Sequence, residues 1–580
     1  MKKNNIIVSF FVLIFVLLTS CGEDFLYKAP LGSIDQDALK NQTGIDLLTT
    51  TAYANLVETG WGASPFNWTF GGMYGGDANK GSDANDQSVL NTMETYNVLA
   101  TNGYINEKYV WVYKGNKRVN VALQTLAETE DLTEEYRNTR YGELHFLRAL
   151  FYFEGVKVFG PYLPWVDENN TENDPKVHND VDIYPNILAD IDIAIANLPA
   201  TQDMPGRANS WAAKALKAKV LLQRGDMAAA KPILKDVIDN GVTANGLRYG
   251  LEDNMNFNFY SITDNGKESI FAVQFAAEAQ NANAGMSLNY PHGGGPGGCC
   301  GFYQPSNELA NSYKVDANGL PLLDKSYRSA PYVASRNMGE GFLSVNGNMP
   351  VDPRLDFAIG RFGVPYYDWG LPQNAWVRDV VNGGFYLPKK HVYTSEELEA
   401  GLAHGGFFDG WAPGSAINLQ YLSFRDVLLQ YAECLANDGE LSAAMGYVNQ
   451  IRTRAAHEDN IIYLEDGETP AANYRIENYP ASHLAFSNKD ECIKAVRMER
   501  KLELAMEGQR WFDLVRWGGS YMHSALQEYL NFEQNFIPKF GTATVLEASK
   551  TMFPLPETQI QTMGDDENGV PYLVQPDPWK

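Results

Sequence analysis

The stretch "WAAKALKAKVLLQRGDMAAAKPILKDVID", residues 211–239, decides the fold class of this chain. Alanine and leucine recur at helical spacing on both sides of Gly225-Asp226. Glycine tolerates the backbone angles that end a helix and turn the chain. Small side chains let two antiparallel helices approach closely. The stretch therefore predicts two helices joined by a tight turn.

A second stretch, "FRDVLLQYAECLANDGELSAAMGYVNQIRTRA" at residues 424–455, has the same layout when its Gly439 is aligned with Gly225. Small and apolar residues then match in both helices: Ala218 with Ala432, Leu221 with Leu435, Ala229-Ala230 with Ala443-Ala444, Leu234 with Val448, and Val237 with Ile451. This layout is typical of tetratricopeptide-type hairpins. The two copies are too far apart for a tandem array, and two unrelated helical hairpins are the alternative.

A third helical block is predicted from about Tyr104 to Val158. Between the blocks lie long stretches rich in Gly, Asn, Asp and aromatic residues, at 60–103, 283–304 and 335–415, and "SIFAVQF" at 269–275 has the pattern of a strand. Long loops inside a compact domain are usually functional. The sequence thus predicts a mainly α fold with long irregular loop insertions that carry a few short strands.

The start of the chain has the pattern of a secretory signal. The run from Ile6 to Leu18 follows two lysines and is too short to span a bilayer. It ends in Leu18-Thr19-Ser20-Cys21, which resembles the lipobox of bacterial lipoproteins, where the cysteine is acylated, with palmitate as one expected acyl group. We expect a signal peptide over residues 1–20 and a mature chain, 21–580, held on the membrane by lipid on Cys21. A plain signal peptide with an incidental cysteine is the alternative.

Two acidic residues, Glu23 and Asp24, follow this cysteine directly. They resemble the signal that exports some lipoproteins of Gram-negative bacteria to the cell surface. The alternative is ordinary solvated charge. We expect attachment to the outer membrane on its extracellular side.

The composition excludes several classes of partner. Forty-six basic residues against 71 acidic ones give a net charge of −25, which argues against nucleic acid and anionic membrane surfaces as partners. The four cysteines besides Cys21 follow no zinc-binding pattern, so we expect no metal site built on cysteine. Acidic loops could coordinate calcium through oxygen ligands, but no set of ligands can be assigned.

No catalytic motif is recognisable. His457-Glu458 lacks the second histidine of a zinc-protease helix, and neither a G-x-S-x-G elbow nor a Walker loop occurs. We expect a protein that is not an enzyme. A carboxylate pair for glycoside hydrolysis is set by three-dimensional separation rather than by sequence pattern, so a surface glycosidase stays as a remote alternative.

The segment "RMERKLELAMEGQRWFDLVRWG", residues 497–518, closely resembles the signature helix of the SusD/RagB family of nutrient-binding outer-membrane lipoproteins. Further segments resemble the family in the same order, among them "GELHFLRALFYFEGVKVFGPYLPW" at 142–165 and "FPLPETQI" at 553–560. The resemblance extends over nearly all of the mature chain. It divides that chain into an N-terminal part, about 21–240, and a C-terminal part, about 265–580.

The resemblance implies both a fold and a function. The family fold is a right-handed α-α superhelix with four tetratricopeptide-like units, and its ligand site lies in irregular loops. Members capture glycans, or peptides in some cases, and deliver them to a SusC-like TonB-dependent transporter that they cover as a lid. We therefore expect a glycan ligand and a transporter partner, with peptide capture as the alternative.

The charged residues of the signature segment invite two interpretations. A catalytic glutamate pair can be imagined, but contacts one helical turn apart, such as those of Glu503 and Glu507 with Arg510, favour a structural network. "DPR" at 352–354 also recurs in the family, where we interpret it as a structural turn.

Candidate ligand contacts combine aromatic rings with polar groups in glycine-rich loops. A flat ring covers the apolar face of a sugar, and Asp, Asn or Arg groups bind its hydroxyls. The first cluster, residues 61–86, supplies Trp61, Trp68, Tyr74 and Asp77, although Asp77 could serve only to order the backbone. The second and third clusters, 290–306 and 362–379, supply Tyr290, Cys299, Cys300, Phe302, Tyr366, Tyr367, Trp369, Trp376 and Arg378.

The adjacent pair Cys299-Cys300 is a candidate vicinal disulfide. Such a ring is strained, because neighbouring Cα atoms lie about 3.8 Å apart and an ordinary bridge needs about 4.4–6.8 Å. Its outer face is stiff and apolar and could pack under a sugar. The alternative is two small buried thiols. We expect Cys434 and Cys492 to be core residues.

Overall fold

The computed structural model describes residues 36–57, 60–170, 176–278, 282–332, 348–408 and 412–580. The predicted signal peptide, Cys21, Glu23 and Asp24 lie outside the described residues. Within the described residues, no helix combines the length and the apolar character needed to cross a membrane.

Helices dominate the described chain, and most of the strands are short. The α-helices are α1 (Gln42–Val57), α2 (Val89–Glu94), α3 (Gly103–Glu128), α4 (Glu134–Phe159), α5 (Tyr184–Asn197), α6 (Ser210–Arg224), α7 (Met227–Asn240), α8 (Asn307–Ser312), α9 (Arg354–Ala358), α10 (Val380–Gly383), α11 (Ser395–Glu399), α12 (Phe424–Asp438), α13 (Leu441–Ala455), α14 (Lys489–Glu503), α15 (Arg510–Arg516), α16 (Gly519–Glu533) and α17 (Glu557–Met563). The mainly α fold class is confirmed.

The strands form small antiparallel pairs inside the loop insertions. They are β1 (Ala78–Gly81), β2 (Ser269–Val273), β3 (Phe302–Pro305), β4 (Ile359–Gly360), β5 (Leu387–Pro388), β6 (Ala403–Phe408), β7 (Ala412–Ser415) and β8 (Leu419–Ser423). β1 pairs with β3, β2 with β8, β4 with β5, and β6 with β7. Each pair connects one loop segment to another or connects a loop segment to a helix. The strand predicted at 269–275 is confirmed as β2.

Both predicted helical hairpins are confirmed, and their turns have the same geometry. Gly225 ends α6 with φ +93° and Gly439 ends α12 with φ +82°, both in the left-handed region that favours glycine. Asp226 then caps α7, because its carboxylate accepts a hydrogen bond of 3.1 Å from the Ala229 N–H. The two hairpins meet in space, since α7 packs against α12.

The remaining long helices continue this packing. α1 packs on α3, α3 on α4, α4 on α5, and each of α5 and α6 on its successor in the chain. α12 also contacts α13 and α14. Helices that follow one another along the chain thus form a stack, and the loop insertions lie against it.

The signature segment is not one helix, so that prediction is wrong. α14 ends at Glu503 and α15 begins at Arg510, and between them Met506 and Gly508 have φ of +63° and +68°. Gly508 is required there, because a Cβ atom would lie 1.8 Å from the carbonyl oxygen of Phe66. The close approach of the loop around Phe66 turns the chain where periodicity alone predicts a continuous helix.

The charged network is structural. It includes a contact one helical turn apart, between Asp513 and Arg516 over 2.8 Å, but Glu503 and Glu507 are not paired in this way. Glu503 pairs with Arg354 and Arg454 from distant elements, and Glu507 pairs with Lys390 and Arg425. Burial raises the pKa of the Glu503 carboxyl, but the two guanidiniums outweigh it and lower that pKa to about 2. These side chains are buried, so the network joins α14 to the elements around it.

The "DPR" segment belongs to this network. Arg354 is fully buried at the start of α9 and binds Asp352, Glu499 and Glu503. The interpretation as a structural turn is confirmed, and the arginine also fixes that turn to α14. Cys434 and Cys492 are buried free thiols, as predicted.

Candidate functional site

The three candidate clusters, far apart in sequence, meet in the structure. β1 of the first cluster pairs with β3 of the second. The N–H of His292 in the second cluster donates to the carbonyl oxygen of Trp376 in the third over 2.8 Å. Arg378 of the third cluster binds Asp83 and Asp86 of the first. The fold therefore assembles one loop region from all three.

Most of the candidate aromatic side chains are packed inside this region. Residues at most 3% exposed are Trp68, Tyr74, Asp77, Tyr290, Cys300, Phe302, Tyr366 and Trp376. Their rings meet edge to face, with centroids 6.2 Å apart for Trp68 and Phe302 and 5.6 Å apart for Tyr366 and Trp376. Other protein groups cover these side chains in the structure. That any of them contacts a ligand therefore remains a prediction.

Asp77 is buried in the loop region. Its carboxylate accepts a hydrogen bond of 3.4 Å from the N–H of Met506, in the turn between α14 and α15. Burial raises the pKa of Asp77 to about 6, although Arg510 and Lys501 oppose the rise. This bond favours the interpretation that Asp77 orders the backbone.

Trp61 and Arg378 are half-buried or exposed but are engaged by protein groups. The indole N–H of Trp61 donates to the hydroxyl of Ser287 over 2.9 Å. The guanidinium of Arg378 lies 2.6 Å from the Asp83 carboxylate and 2.7 Å from that of Asp86. Arg378 therefore ties two loops together, and ligand binding by it stays a prediction.

Cys299 and Cys300 are joined by a disulfide bond. Cys299 is half-buried, whereas Cys300 is buried. The preceding glycines leave backbone exposed, and a Cβ atom added at Gly294 or Gly298 would meet nothing within 4 Å. The G-x-G-x-x-G match at 293–298 lies in a loop that opens no helix, so it carries no dinucleotide site.

The turn at residues 366–370 presents two half-buried rings, those of Tyr367 and Trp369. The N–H of Tyr366 donates to the Gly370 carbonyl over 2.9 Å, which closes the turn. The hydroxyl of Tyr367 donates to the Lys389 carbonyl over 3.1 Å, and the indole N–H of Trp369 donates to the Tyr393 carbonyl over 3.0 Å. One edge of each ring is therefore fixed.

Asp368, between these two rings, holds the turn on helix α11. Its carboxylate accepts hydrogen bonds from the Ser395 N–H (2.8 Å), the Ser395 hydroxyl (2.7 Å) and the Glu396 N–H (2.9 Å). The N–H groups at the start of a helix lack partners within that helix, and a carboxylate satisfies them well. The helix that receives Asp368 is itself fixed by a capping box of Thr394 and Glu397.

Next to this turn lies a small cleft, which we call the ring cleft. It has a volume of about 150 Å³ and is lined by Tyr260, Tyr367, Asn256, Lys389 and Asp459, among others. The rings of Tyr260 and Tyr367 are 5.8 Å apart and inclined by 68°. Ligand pockets typically measure about 300–1,000 Å³, so the ring cleft suits one unit of a longer ligand that continues over the surface.

Tyr260 and Asn256 were missed by the sequence reasoning. They lie in "NFNFYSIT", residues 256–263, a short aromatic and asparagine-rich segment far in sequence from the 366–370 turn. The three clusters were identified by the same feature, aromatic residues beside polar residues. Only the folded chain brings Tyr260 beside Tyr367.

The described residues contain no group of three His, Cys, Asp or Glu side chains placed to hold a metal ion. The ring cleft combines aromatic faces with an amide and a carboxylate, whereas the ammonium of Lys389 is buried and donates to the Asp356 carbonyl over 2.6 Å. Such a site can bind a polar ligand that has apolar faces.

Two family profiles match this chain. Residues 267–569 match the SusD family, and residues 24–222 match a family described as starch-binding and associating with the outer membrane. A SusD-like protein of Bacteroides ovatus is 22% identical over 562 residues, which cover 92% of this chain and 85% of that protein.

Solved structures give the same result for the fold. A SusD superfamily protein from Bacteroides vulgatus superimposes with a TM-score of 0.65 at 19% identity, over 93% of this chain and 99% of that one. Surface glycan-binding protein A from Bacteroides thetaiotaomicron, solved in complex with laminarihexaose, superimposes with a TM-score of 0.59 at 19% identity, over 92% and 99% of the two chains.

Proposed function

Because this chain belongs to the SusD family, we propose that it is a cell-surface lipoprotein that binds glycan and delivers it to a TonB-dependent outer-membrane transporter of the SusC type. The structural neighbour solved with laminarihexaose supports the ligand class. The second family profile, which describes association with the outer membrane, supports the location. Lipid on Cys21 would provide the anchor.

The proposed glycan binding rests on the turn at 366–370, whose two aromatic rings are fixed by hydrogen bonds. Tyr367 and Trp369 are each held at one edge by a hydrogen bond to a backbone carbonyl, and Asp368 is bound by three donors. Rings that are already ordered lose little conformational entropy when a ligand arrives. The turn therefore favours binding of a flexible oligosaccharide.

The expected contribution of Trp369 follows from its half-buried state. A fully buried aromatic side chain removes about 150–250 Å² from water, and at most about a third of the Trp369 side chain is exposed, so a covering sugar would remove no more than about 80 Å² more. At about 25 cal/mol per Å², this corresponds to at most about 2 kcal/mol. A sugar face is only partly apolar, so we expect about 1.4 kcal/mol, or a tenfold change in affinity.

The experiment is a titration of neutral oligosaccharides, including laminarihexaose, against the purified chain that begins at residue 22. We expect Trp369→Ala and Tyr367→Ala each to weaken binding about tenfold or more, with folding intact by circular dichroism. Trp211→Ala is the matched control, because Trp211 is also half-buried but lies in α6, outside the loop region. It should bind as the wild type does.

Two outcomes would contradict the proposal. If no neutral oligosaccharide of a broad panel bound the wild-type chain, the glycan assignment would fail, and a protein digest retained by the immobilised chain would replace it with peptide capture. If Trp211→Ala weakened binding as much as Trp369→Ala, the ligand site would lie elsewhere. Metabolic labelling with a palmitate analogue, in the wild type and in Cys21→Ser, tests the anchor separately.

A further inference from the structure

A second cavity is lined in part by the signature segment. It has a volume of about 410 Å³, is lined by residues of α14, α15 and α16 and the segment 323–328, and shares no lining residue with the ring cleft. Its ionisable lining is dominated by cations: Lys325, Arg328, Lys494, Arg497, Lys501 and Arg510. Four acidic residues also line it: Asp77, Glu308, Asp324 and Glu528.

The two glutamates are engaged by three of these six cations. Glu308 binds Arg328 over 2.7 Å and Lys501 over 3.2 Å. Glu528 binds Arg328 over 2.9 Å and also pairs with Lys325. Lys494 pairs with a fifth carboxylate, Glu491, outside the cavity over 2.6 Å.

The other two acids are also bound by protein groups. Asp324 accepts hydrogen bonds from the Ser326 N–H and hydroxyl, 3.0 and 2.7 Å long. Asp77 is bound by the Met506 N–H, and burial raises its pKa to about 6. No acid of the lining forms an ion pair with the two remaining arginines, although the charge of one of them, Arg510, opposes the rise in the pKa of Asp77.

Arg497 and Arg510 are these remaining cations. Among the described residues, no carboxylate lies within 4 Å of either guanidinium, although the chain has 71 acidic residues against 46 basic ones. The Nε atom of Arg497 is buried without a hydrogen-bond partner. An arginine of this kind offers a ready donor set for an oxyanion.

Aromatic rings hold both guanidiniums in place. The guanidinium carbon of Arg497 lies 4.7 Å from the ring centroid of Trp517 and 4.3 Å from that of Tyr521. That of Arg510 lies 5.6 Å from the ring centroid of Trp517. Stacking on an aromatic face orients a guanidinium and leaves its N–H edge available.

We propose that this cavity binds the carboxylate or sulfate group of an acidic sugar, with Arg497 and Arg510 as the anion-binding residues. The cavity volume lies within the range typical of small-ligand sites, about 300–1,000 Å³. The ring of Tyr521, which also lines it and is 36% exposed, offers apolar surface for the sugar ring. This inference rests on the proposed glycan-binding function and extends it to a second, anionic class of ligand.

The test uses methyl β-D-glucuronide, its neutral counterpart methyl β-D-glucoside, and inorganic sulfate as probes of the wild-type chain from residue 22. We expect saturable binding of the glucuronide, at least tenfold tighter than that of the glucoside and weaker at higher salt. Arg510→Gln and Arg497→Gln should each weaken it tenfold or more. Arg224→Gln removes the same charge from an exposed position outside the cavity and should bind normally.

The outcomes separate this site from the ring cleft. Trp369→Ala should weaken the binding of neutral oligosaccharides about tenfold and leave the binding of the glucuronide unchanged, so either proposal can fail alone. Absence of saturable glucuronide binding overturns the acidic-sugar assignment, even if inorganic sulfate binds. Equal binding by the wild type and Arg510→Gln overturns the placement. If Arg497→Gln does not fold, Arg510→Gln, whose folding is checked by its urea midpoint, decides the question.

Discussion

Replacing Glu503 with glutamine tests how much the buried ion network that joins α14 to α9 and α13 contributes to stability. One carboxylate oxygen of Glu503 lies 3.1 Å from Arg354 Nη1, and the other binds Arg454 Nη2. All three side chains are at most 4% exposed. Glutamine keeps the size of the side chain but removes its charge and presents one oxygen instead of two.

The magnitude follows from what each arginine keeps. Breaking a buried ion pair usually costs about 3–5 kcal/mol, because a charge is left uncompensated. Here Arg354 keeps Asp352 and Glu499, both at 2.7 Å, and Arg454 keeps Glu268 at 3.4 Å. The lower end of that range therefore applies, and we expect a loss of about 3 kcal/mol in the free energy of unfolding.

The loss should depend on pH in a defined direction. The pKa of Glu503 is about 2 in the folded protein, below its ordinary value of 4.5. A carboxyl whose pKa is lowered by folding stabilises the protein fully above its unfolded pKa and loses that contribution as pH falls toward the folded pKa. The difference between wild type and Glu503→Gln should therefore be constant near pH 7 and shrink between about pH 4.5 and pH 2.

The assay is urea unfolding followed by tryptophan fluorescence, for both proteins, at several pH values from 7 down to 3. Glu491→Gln is the matched control, because Glu491 lies in the same helix and pairs with Lys494 at the exposed surface. Exposed pairs contribute about 0–1 kcal/mol, so its midpoint should barely move. Equal losses for the two substitutions, or a Glu503→Gln loss unchanged at pH 3, would refute the reasoning.

Two further predictions concern single backbone and side-chain positions. Gly439→Ala should cost about 1 kcal/mol in unfolding free energy, because φ is +82° and an added Cβ meets no atom within 4 Å, so only backbone strain acts. Gly446→Ala, inside helix α13 and equally uncrowded, should instead stabilise by about 0.5–1 kcal/mol, and urea midpoints that move in the same direction for both would contradict this. For Asp77, the folded pKa of about 6 exceeds the ordinary value of 3.8, so the folded state loses stability relative to the unfolded chain as pH rises from about 4 to 6. The thermal midpoint of Asp77→Asn relative to wild type should therefore be higher at pH 7 than at pH 4, and a difference independent of pH would count against it.

The helical part of the fold could be predicted because the residues that determine each hairpin lie close together in the sequence. The matched positions around Gly225 and Gly439 specify two helices and the turn between them, and both turns have the expected left-handed glycine. The signature segment was misjudged because its break depends on a distant contact. A helix through Gly508 would be allowed by the sequence of 497–518, but that glycine lies against the Phe66 carbonyl, more than 400 positions earlier.

The candidate site was harder to predict because exposure is not encoded in the composition of a loop. Trp68 and Trp369 both lie in aromatic loops beside glycines, and the sequence offers no way to rank them. In the folded chain Trp68 is enclosed by Tyr104, Phe302 and Tyr303, whose ring centroids lie 5.9–6.4 Å from its own. The pairing of β1 with β3 brings two of these three rings to it.

Trp369 stays partly exposed for a reason that also comes from elsewhere in the chain. Asp368 is bound to the start of α11, so the turn is held at its base, and the rings of Tyr367 and Trp369 pack against the core while part of each stays accessible. At Arg497 and Arg510 the chemical roles are reversed: the charged groups would touch the ligand, and the ring of Trp517 orders them. In both places the residue that would touch a ligand is ordered by a neighbour that would not, so substitutions at the anchors should weaken binding without removing any ligand contact.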